Sequence, residues 1–373
     1  MIRALSLLAA LVLAGSAQAA PVRLVQHTSP AFDAVTDQPT ASAAAWMRER
    51  YFRMVVYSPY FDSRLSWYGH GWVYTDLYGI RGHPQWILRD ARGRRLYLDF
   101  GCARGRCPQW AADVTNPAYR AWWIAQARDT LARGYRGLWI DDVNLNRSVS
   151  YGSGAPAVPF TAAGELTEAR WAQVVAAFAA QIRAALPDAE IVHNAVWFAA
   201  RTDTVPAGAD EAVRDQVGAA DWVNLERGCS DPGLTGGDGP WGLRALLAFV
   251  DRVHAEGRPV IWQPSATTNR QRELNLACLL LSRGGRDALD DPDARPSRWW
   301  AGFDADPGAP LGGRYEWHGL LRRDFERAVV LVNDPGLEPR TVTLPGRFTR
   351  VDGRPARGTL TVPGGRAVVL LHA

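Results

Sequence analysis

An apolar run of three residues, Leu138-Trp139-Ile140, breaks directly into two carboxylates, Asp141 and Asp142, and then two amides, Asn144 and Asn146. The run is too short for a helix and is opened by a glycine, which fits a buried parallel strand delivering acidic groups into a polar pocket. In α/β folds the mouth at the carboxyl ends of the strands is where ligands bind and chemistry is done. Side chains alternate along a strand, so only one of Asp141 and Asp142 faces inward while the other turns toward neighbouring loops. A loop turn and a helix cap would also use two acidic residues. The surrounding pattern decides between the two readings.

That pattern is a repeated strand and helix. Ahead of the run, Asn116 or Thr115 caps a helix opened by Pro117, with an apolar face of Tyr119, Trp122, Trp123, Ala127 and Leu131, and Gly134 ends it. Behind it, Thr167 caps a helix carrying Trp171, Val174, Val175, Phe178 and Ile182, Pro187 stops it, and Ile191 to Asn194 follow as a strand. Asp221 to Glu226 is a strand ending in a carboxylate before the helix Leu243 to Ala255. Gly257 to Gln263 is another, before the helix Arg270 to Leu281. The first strand candidate is Phe52 to Tyr57, a second lies within Gly71 to Tyr78, and Ala20 to Ala45 reads as a polar lead-in packed across the domain. The alternation predicts an α/β fold, a (β/α)8 TIM barrel over residues 20–312, rather than an open sheet, for which no Gly-x-Gly-x-x-Gly fingerprint is present. From Tyr315 the rhythm changes to short strands between Gly, Pro and Asn turns, which predicts a small antiparallel β-domain over residues 313–373.

Met1-Ile-Arg3, the apolar Ala4 to Gly15 and Ala17-Gln-Ala19 have the layout of a secretory signal over residues 1–19. The mature chain is expected from near Ala20, in the periplasm or outside the cell, with no membrane span. Outside the cytoplasm Cys102 and Cys107, with a glycine between them to turn the loop, are expected to form a disulfide. A metal pair is the rival reading, although no histidine cluster accompanies them. Cys229 and Cys278 read as buried thiols rather than a second bridge. All 42 basic residues are arginine, which excludes pyridoxal-phosphate enzymes, Schiff-base aldolases and P-loop NTPases. The net charge of +4 is not clustered and gives no reason for a nucleic-acid role, although it would suit a polyanionic glycan.

Two strand ends, Asp142 and Glu226, supply what glycosidic hydrolysis needs, a carboxyl group on each side of the scissile bond. Asn144, Asn194 and Gln263 offer amides for sugar hydroxyls, and Asp62 and Asp141 lie at strand ends beside them. Tyr57, Trp67, Tyr74, Trp197 and Trp262 offer faces for pyranose rings, in a chain whose 16 Trp and 11 Tyr exceed what a core requires. No cofactor or metal is expected. A metal-dependent deacetylase would need paired histidines that are missing, and a serine or cysteine hydrolase lacks its Gly-x-Ser-x-Gly elbow or a histidine partner. A non-catalytic carbohydrate-binding protein is the serious alternative, since it keeps the aromatics without needing both carboxylates.

Trp46 to Phe61, His83-Pro-Gln-Trp86, Asp113 with Asn116-Pro117, Gly134 to Asn146, Asp221 to Glu226 and Gly319 to Asn333 together resemble the glycoside-hydrolase-like barrel proteins of hypothetical glycosyl hydrolase family fifteen. The resemblance implies a TIM barrel with a C-terminal β-sandwich. Carboxylates after strands four and six are similar to α-galactosidase-type barrels, where the nucleophile ends the fourth strand and the acid/base the sixth. By that analogy Asp142 is the nucleophile of a retaining enzyme and Glu226 its acid/base, with Asp141 in place of Asp142 if the register is off by one. The expected whole is an exported, monomeric glycoside hydrolase acting on a carbohydrate polymer or oligosaccharide.

Overall fold

The computed structural model describes residues 22–28, 36–56, 65, 67–103, 107–152, 156–194, 209–265, 267–291, 293 and 295–373. The expected signal sequence lies outside them, as do Tyr57, Asp62 and Trp197.

Eight parallel strands close into a barrel in which every strand pairs with its neighbours in chain order. They are β1 (Arg23–Thr28), β2 (Tyr51–Val56), β3 (Trp72–Asp76), β4 (Gly137–Asp141), β5 (Glu190–Asn194), β6 (Trp222–Leu225), β7 (Val260–Trp262) and β8 (Ala288–Asp290). Among the described residues six α-helices connect them: α1 (Ala41–Arg50), α2 (Pro117–Leu131), α3 (Glu168–Ala185), α4 (Ala209–Ala219), α5 (Leu243–Ala255) and α6 (Asn269–Ser282). Thr40, Asn116, Thr167 and Thr268 start α1, α2, α3 and α6 by accepting a free backbone N–H with their side chains, each such cap contributing about 1 kcal/mol. The closed parallel barrel with its outer helices is a TIM barrel.

The strand alternation sorts the apolar residues into two shells. Val25, Val55, Trp72, Trp139, Val192, Trp222, Ile261 and Ala288 point inward and fill the barrel. Leu138, Ile140 and Ile191 point outward against α2 and α3, and Val223, Leu225, Val260, Trp262 and Leu289 point outward against α5 and α6. The stretch read as a polar lead-in is instead β1 followed by α1, which makes the Phe52 strand the second of the barrel. Gln26 and His27 hid it: they are 4% and 7% exposed, buried as polar groups. The loops after β3 and β4 add a four-stranded antiparallel sheet built from Gly79–Ile80, Tyr97–Leu98, Trp110–Ala111 and Val149–Ser150. The bridge Cys102–Cys107 closes a loop between two of these strands.

Cys229 and Cys278 are also bridged, so the expectation of two buried thiols is overturned. Folding lays α6 beside the turn that follows β6, which brings together two cysteines 49 residues apart. Constraining a loop of that length in the unfolded chain is worth about 4 kcal/mol in the chain-entropy account.

The C-terminal strands are β9 (Tyr315–Trp317), β10 (Leu320–Asp324), β11 (Ala328–Asn333), β12 (Arg340–Thr343), β13 (Phe348–Arg350), β14 (Pro355–Ala356), β15 (Thr359–Val362) and β16 (Arg366–His372). Six form one antiparallel sheet in the order β9-β10-β11-β16-β13-β14, and β12 pairs with β15 in a second. Leu320, Val329, Leu331 and Leu370 of the large sheet share a core with Val342, Leu360 and Val362 of the small one. The opposite side of the large sheet, with Leu321, Val330, Val332 and Val369, joins the barrel's outer core at α6. There Glu273 accepts a hydrogen bond from the backbone of Val369 at 3.1 Å. The Gly/Pro-rich stretch before β9 is bonded to the same sheet, through Leu311 N–H to Asp324 O and Glu326 N–H to Ala309 O, both at 2.9 Å. No described helix is long and apolar enough to cross a membrane.

Candidate active site

Alternation also decides what stands at the barrel mouth. In β4 Trp139 faces inward while Leu138 and Ile140 face outward, so the next inward side chain is Asp141. The same count along β3 gives Trp72, Tyr74 and Asp76, and along β5 Val192 and Asn194. Along β6 it gives Trp222, Asn224 and Glu226, and along β7 Ile261 and Gln263.

These side chains meet. Asp141 Oδ1 accepts from Asn194 Nδ2 at 2.8 Å and from the backbone N–H of Asp142 at 2.8 Å, and its other oxygen accepts from the Tyr74 hydroxyl. Asn194 Nδ2 also donates to Glu226 Oε2 at 3.2 Å, so one amide group touches both carboxylates. Asn224 Nδ2 donates to Asn194 Oδ1 at 2.8 Å and to Gln263 Oε1 at 2.7 Å. Glu226 is exposed, just past β6, and the turn beyond it is held by the Cys229–Cys278 bridge and by the Cys229 N–H bonded to Asn275 Oδ1 at 3.1 Å. Gly228 belongs to that anchor: a Cβ there would lie 2.2 Å from Asn275 Oδ1.

Asp142, expected as the nucleophile, occupies a different place. The chain turns after β4 with Asp142 in the left-handed region, at φ 57°, and buries its side chain to 9% exposure. Burial first, and then the charges of Asp141, Asp76 and Glu226, push its carboxyl up to about 9, so it keeps its proton at neutral pH. That proton bridges to Asp76, which burial pushes upward and which Gln109 Nε2 steadies at 2.6 Å. Carboxyl oxygens of Asp76, Asp141 and Asp142 lie within 4.8 Å of one another, near enough to share a cation. Within the same group Tyr74 donates to Asp141, Gln109 to Asp76 and Asn194 to Asp141.

The remaining expected residues divide. Asn194 and Gln263 face inward as expected. Asn144 follows Asp142 instead, donating to its Oδ1 at 3.3 Å, while its backbone oxygen accepts from the Trp171 indole at 3.0 Å. Trp262 is a correction: it is fully buried on the outward side of β7, packed in the outer core, and offers no face to a sugar. Tyr74, expected as a stacking ring, bonds Asp141. Asp76 and Asn224 were missed, although Trp72-Val-Tyr-Thr-Asp76 and Trp222-Val-Asn-Leu-Glu226 both carry a period of two that placed them inward. His27 and Asp290, whose side chains meet at the ends of β1 and β8, were missed as well. His27 stands edge-on to Trp139, ring centres 4.3 Å apart.

The proton on Asp142 has a thermodynamic signature. Its folded value of about 9 lies above its ordinary 3.8, so the folded state holds a proton that the unfolded chain has lost between those limits. Stability from this group is full below pH 4 and falls as pH rises toward 9, by at most about 1.4 kcal/mol per pH unit. Thermal melts between pH 5 and 8 should therefore decline less steeply for Asp142→Asn than for wild type, and asparagine suits the left-handed backbone. Parallel curves would mean that Asp142 is already ionised.

A parallel eight-stranded barrel with two carboxylates meeting at the C-terminal mouth is the layout of a glycoside hydrolase. The chain belongs to hypothetical glycosyl hydrolase family 15, whose model matches residues 55–329. No curated protein matches it. Among solved structures it is similar to the glycoside hydrolase domain of PelA from Pseudomonas aeruginosa, with 17% identity, 73% of this chain and 96% of that chain covered, and a TM-score of 0.41. It is also similar to the GH27 β-L-arabinopyranosidase Abp from Geobacillus stearothermophilus, with 10% identity, 95% and 96% covered, and a TM-score of 0.47. The maltogenic α-amylase AmyB from Thermotoga neapolitana gives 12% identity, 94% and 98% covered, and 0.47.

Proposed function

We propose that the protein is an exported, retaining glycoside hydrolase of polysaccharides or oligosaccharides, with Asp141 as nucleophile and Glu226 as acid/base. The observation that carries this is the Asn194 amide between them. Asp141 Oδ1 and Glu226 Oε2 bond the same nitrogen at 2.8 and 3.2 Å, so they can be no farther apart than those lengths end to end, about 6 Å, against about 5 to 5.5 Å for retaining enzymes and roughly 6.5 to 9.5 Å for inverting ones. In the first step Asp141 attacks the anomeric carbon while Glu226 gives its proton to the departing oxygen. In the second, Glu226 takes a proton from water, which displaces Asp141 from the glycosyl ester. Asp142 cannot attack while it holds its proton, and serves as a neutral donor to Asp76 behind the nucleophile.

The signal-like residues 1–19 and two disulfides support export to an oxidising compartment. Residues 20–312 then form the catalytic barrel of a monomer, and 313–373 a β-sandwich fastened to α6. The test is proton NMR of the first sugar released from a polysaccharide panel. Retention of anomeric configuration is the expected result, and a first product of inverted configuration would sink the covalent mechanism. Binding without cleavage of any polymer would favour a carbohydrate-binding protein instead.

A further inference from the structure

The polar chain that starts at the two carboxylates continues past Asn194 to two more amides, and its polarity is set from one end. Asp141, as the proposed nucleophile, only accepts, so Asn194 must turn its NH2 group toward Asp141, and with it toward Glu226, and its oxygen toward β6. An oxygen there needs a donor. Asn224 supplies it, giving one N–H to Asn194 Oδ1 and the other to Gln263 Oε1. Reversing Asn224 would set its oxygen against two other carbonyl oxygens, and reversing Asn194 would set an oxygen against the carboxylate of Asp141. Asn224 is fully buried, beneath the mouth on the inward face of β6. A buried amide is costly unless bonded, and both N–H bonds of this one fix the amides of neighbouring strands.

We infer that Asn224 is a positioning residue: through Asn194 it locks the single amide that spans the nucleophile and the acid/base. The inference rests on the roles proposed for Asp141 and Glu226. Without Asn224, the Asn194 amide loses the partner that fixes its direction, and the two carboxylates lose a shared donor of constant aim. The loss falls on turnover rather than on substrate binding, because Asn224 is closed off from the mouth.

The test uses the full-length protein and a panel of p-nitrophenyl glycosides. Asn224→Leu keeps a branched side chain and removes both donors. Its kcat should fall by about tenfold or more while KM stays within about threefold, the split expected when only the alignment of reacting groups is lost. Asn194→Ala should cost at least as much, and the double variant no more than Asn194→Ala alone, since the two act in series. Penalties that multiply in the double variant, or an Asn224→Leu kcat within threefold of wild type, would overturn the inference. If Asn224→Leu does not fold, Asn224→Ser, which keeps one donor of the two, carries the same comparison.

A second readout needs no substrate. With asparagine-selective 15N labelling, the Asn194 side-chain NH2 signals, assigned by their loss in Asn194→Ala, should exchange slowly with solvent in wild type. In Asn224→Leu they should shift and exchange faster. Unchanged signals overturn the relay even in an active enzyme. Changed signals in a protein that cleaves no glycoside keep the relay and remove the hydrolase roles.

Discussion

Asp141→Asn is expected to lower kcat on every substrate by on the order of 10⁴-fold or more, the scale on which loss of the proposed covalent nucleophile would fall, while Asp142→Asn is expected to stay within about tenfold of wild type. The contrast follows from charge and direction together. Asp141 faces the barrel interior and receives three hydrogen bonds, from Tyr74, Asn194 and the Asp142 backbone. Asp142 faces away and holds a proton up to about pH 9, so an amide in its place is equally neutral and nearly the same size. Kinetics of both variants on one glycoside settle the matter. The reverse ranking, with Asp142→Asn dead and Asp141→Asn active, would show that the inward face of β4 has been assigned the wrong way round.

Glu226→Gln is expected to divide substrates by leaving group. An amide has no proton to give, so hydrolysis of a natural glycosidic link should slow by about 10² to 10⁴, the usual contribution of a positioned general acid. An aryl glycoside with an activated phenolate departs without that proton, and its first step should be nearly unaffected. Burst kinetics would then expose the second step, in which Glu226 also activates water, as the slow one. An equal loss on both kinds of substrate would deny Glu226 the acid role and leave it as a binding group. Its exposed position just past β6 fits a group that must meet both a sugar oxygen and water.

What could be read from the residues depended on how openly each strand showed its period. Leu138-Trp139-Ile140 is buried on both faces, as strands of parallel sheets are, so its apolar run conceals which residues point inward. That is why the adjacent carboxylates could be located at the fourth strand but not told apart. Trp222-Val-Asn-Leu-Glu226 breaks the run with a polar residue at an inward position, and there Glu226 could be placed without ambiguity. Helix ends were legible nearly to the residue, α5 with both at Leu243 and Ala255. The Cys102–Cys107 bridge was legible because it is local, and Cys229–Cys278 was not, because only the packing of α6 brings its halves together. β1 was missed for a related reason, since Gln26 and His27 look like surface residues until the closed barrel buries them. Trp262 was misplaced by taking every strand-end aromatic as a platform, when the period of β7 turns it outward.

The Cys229–Cys278 bridge ties the turn after Glu226 to the redox state of its surroundings. Glu226 stands three residues before Cys229, on a turn whose covalent anchor to α6 exists only after oxidation. The end of β4, by contrast, holds Asp141 through hydrogen bonds from Tyr74, Asn194 and the Asp142 backbone. Without the bridge the turn after Glu226 would keep only hydrogen bonds such as that from Cys229 N–H to Asn275 Oδ1. With the roles proposed for Asp141 and Glu226, nucleophile and acid would mature separately, the first with the fold and the second with oxidation of the bridge.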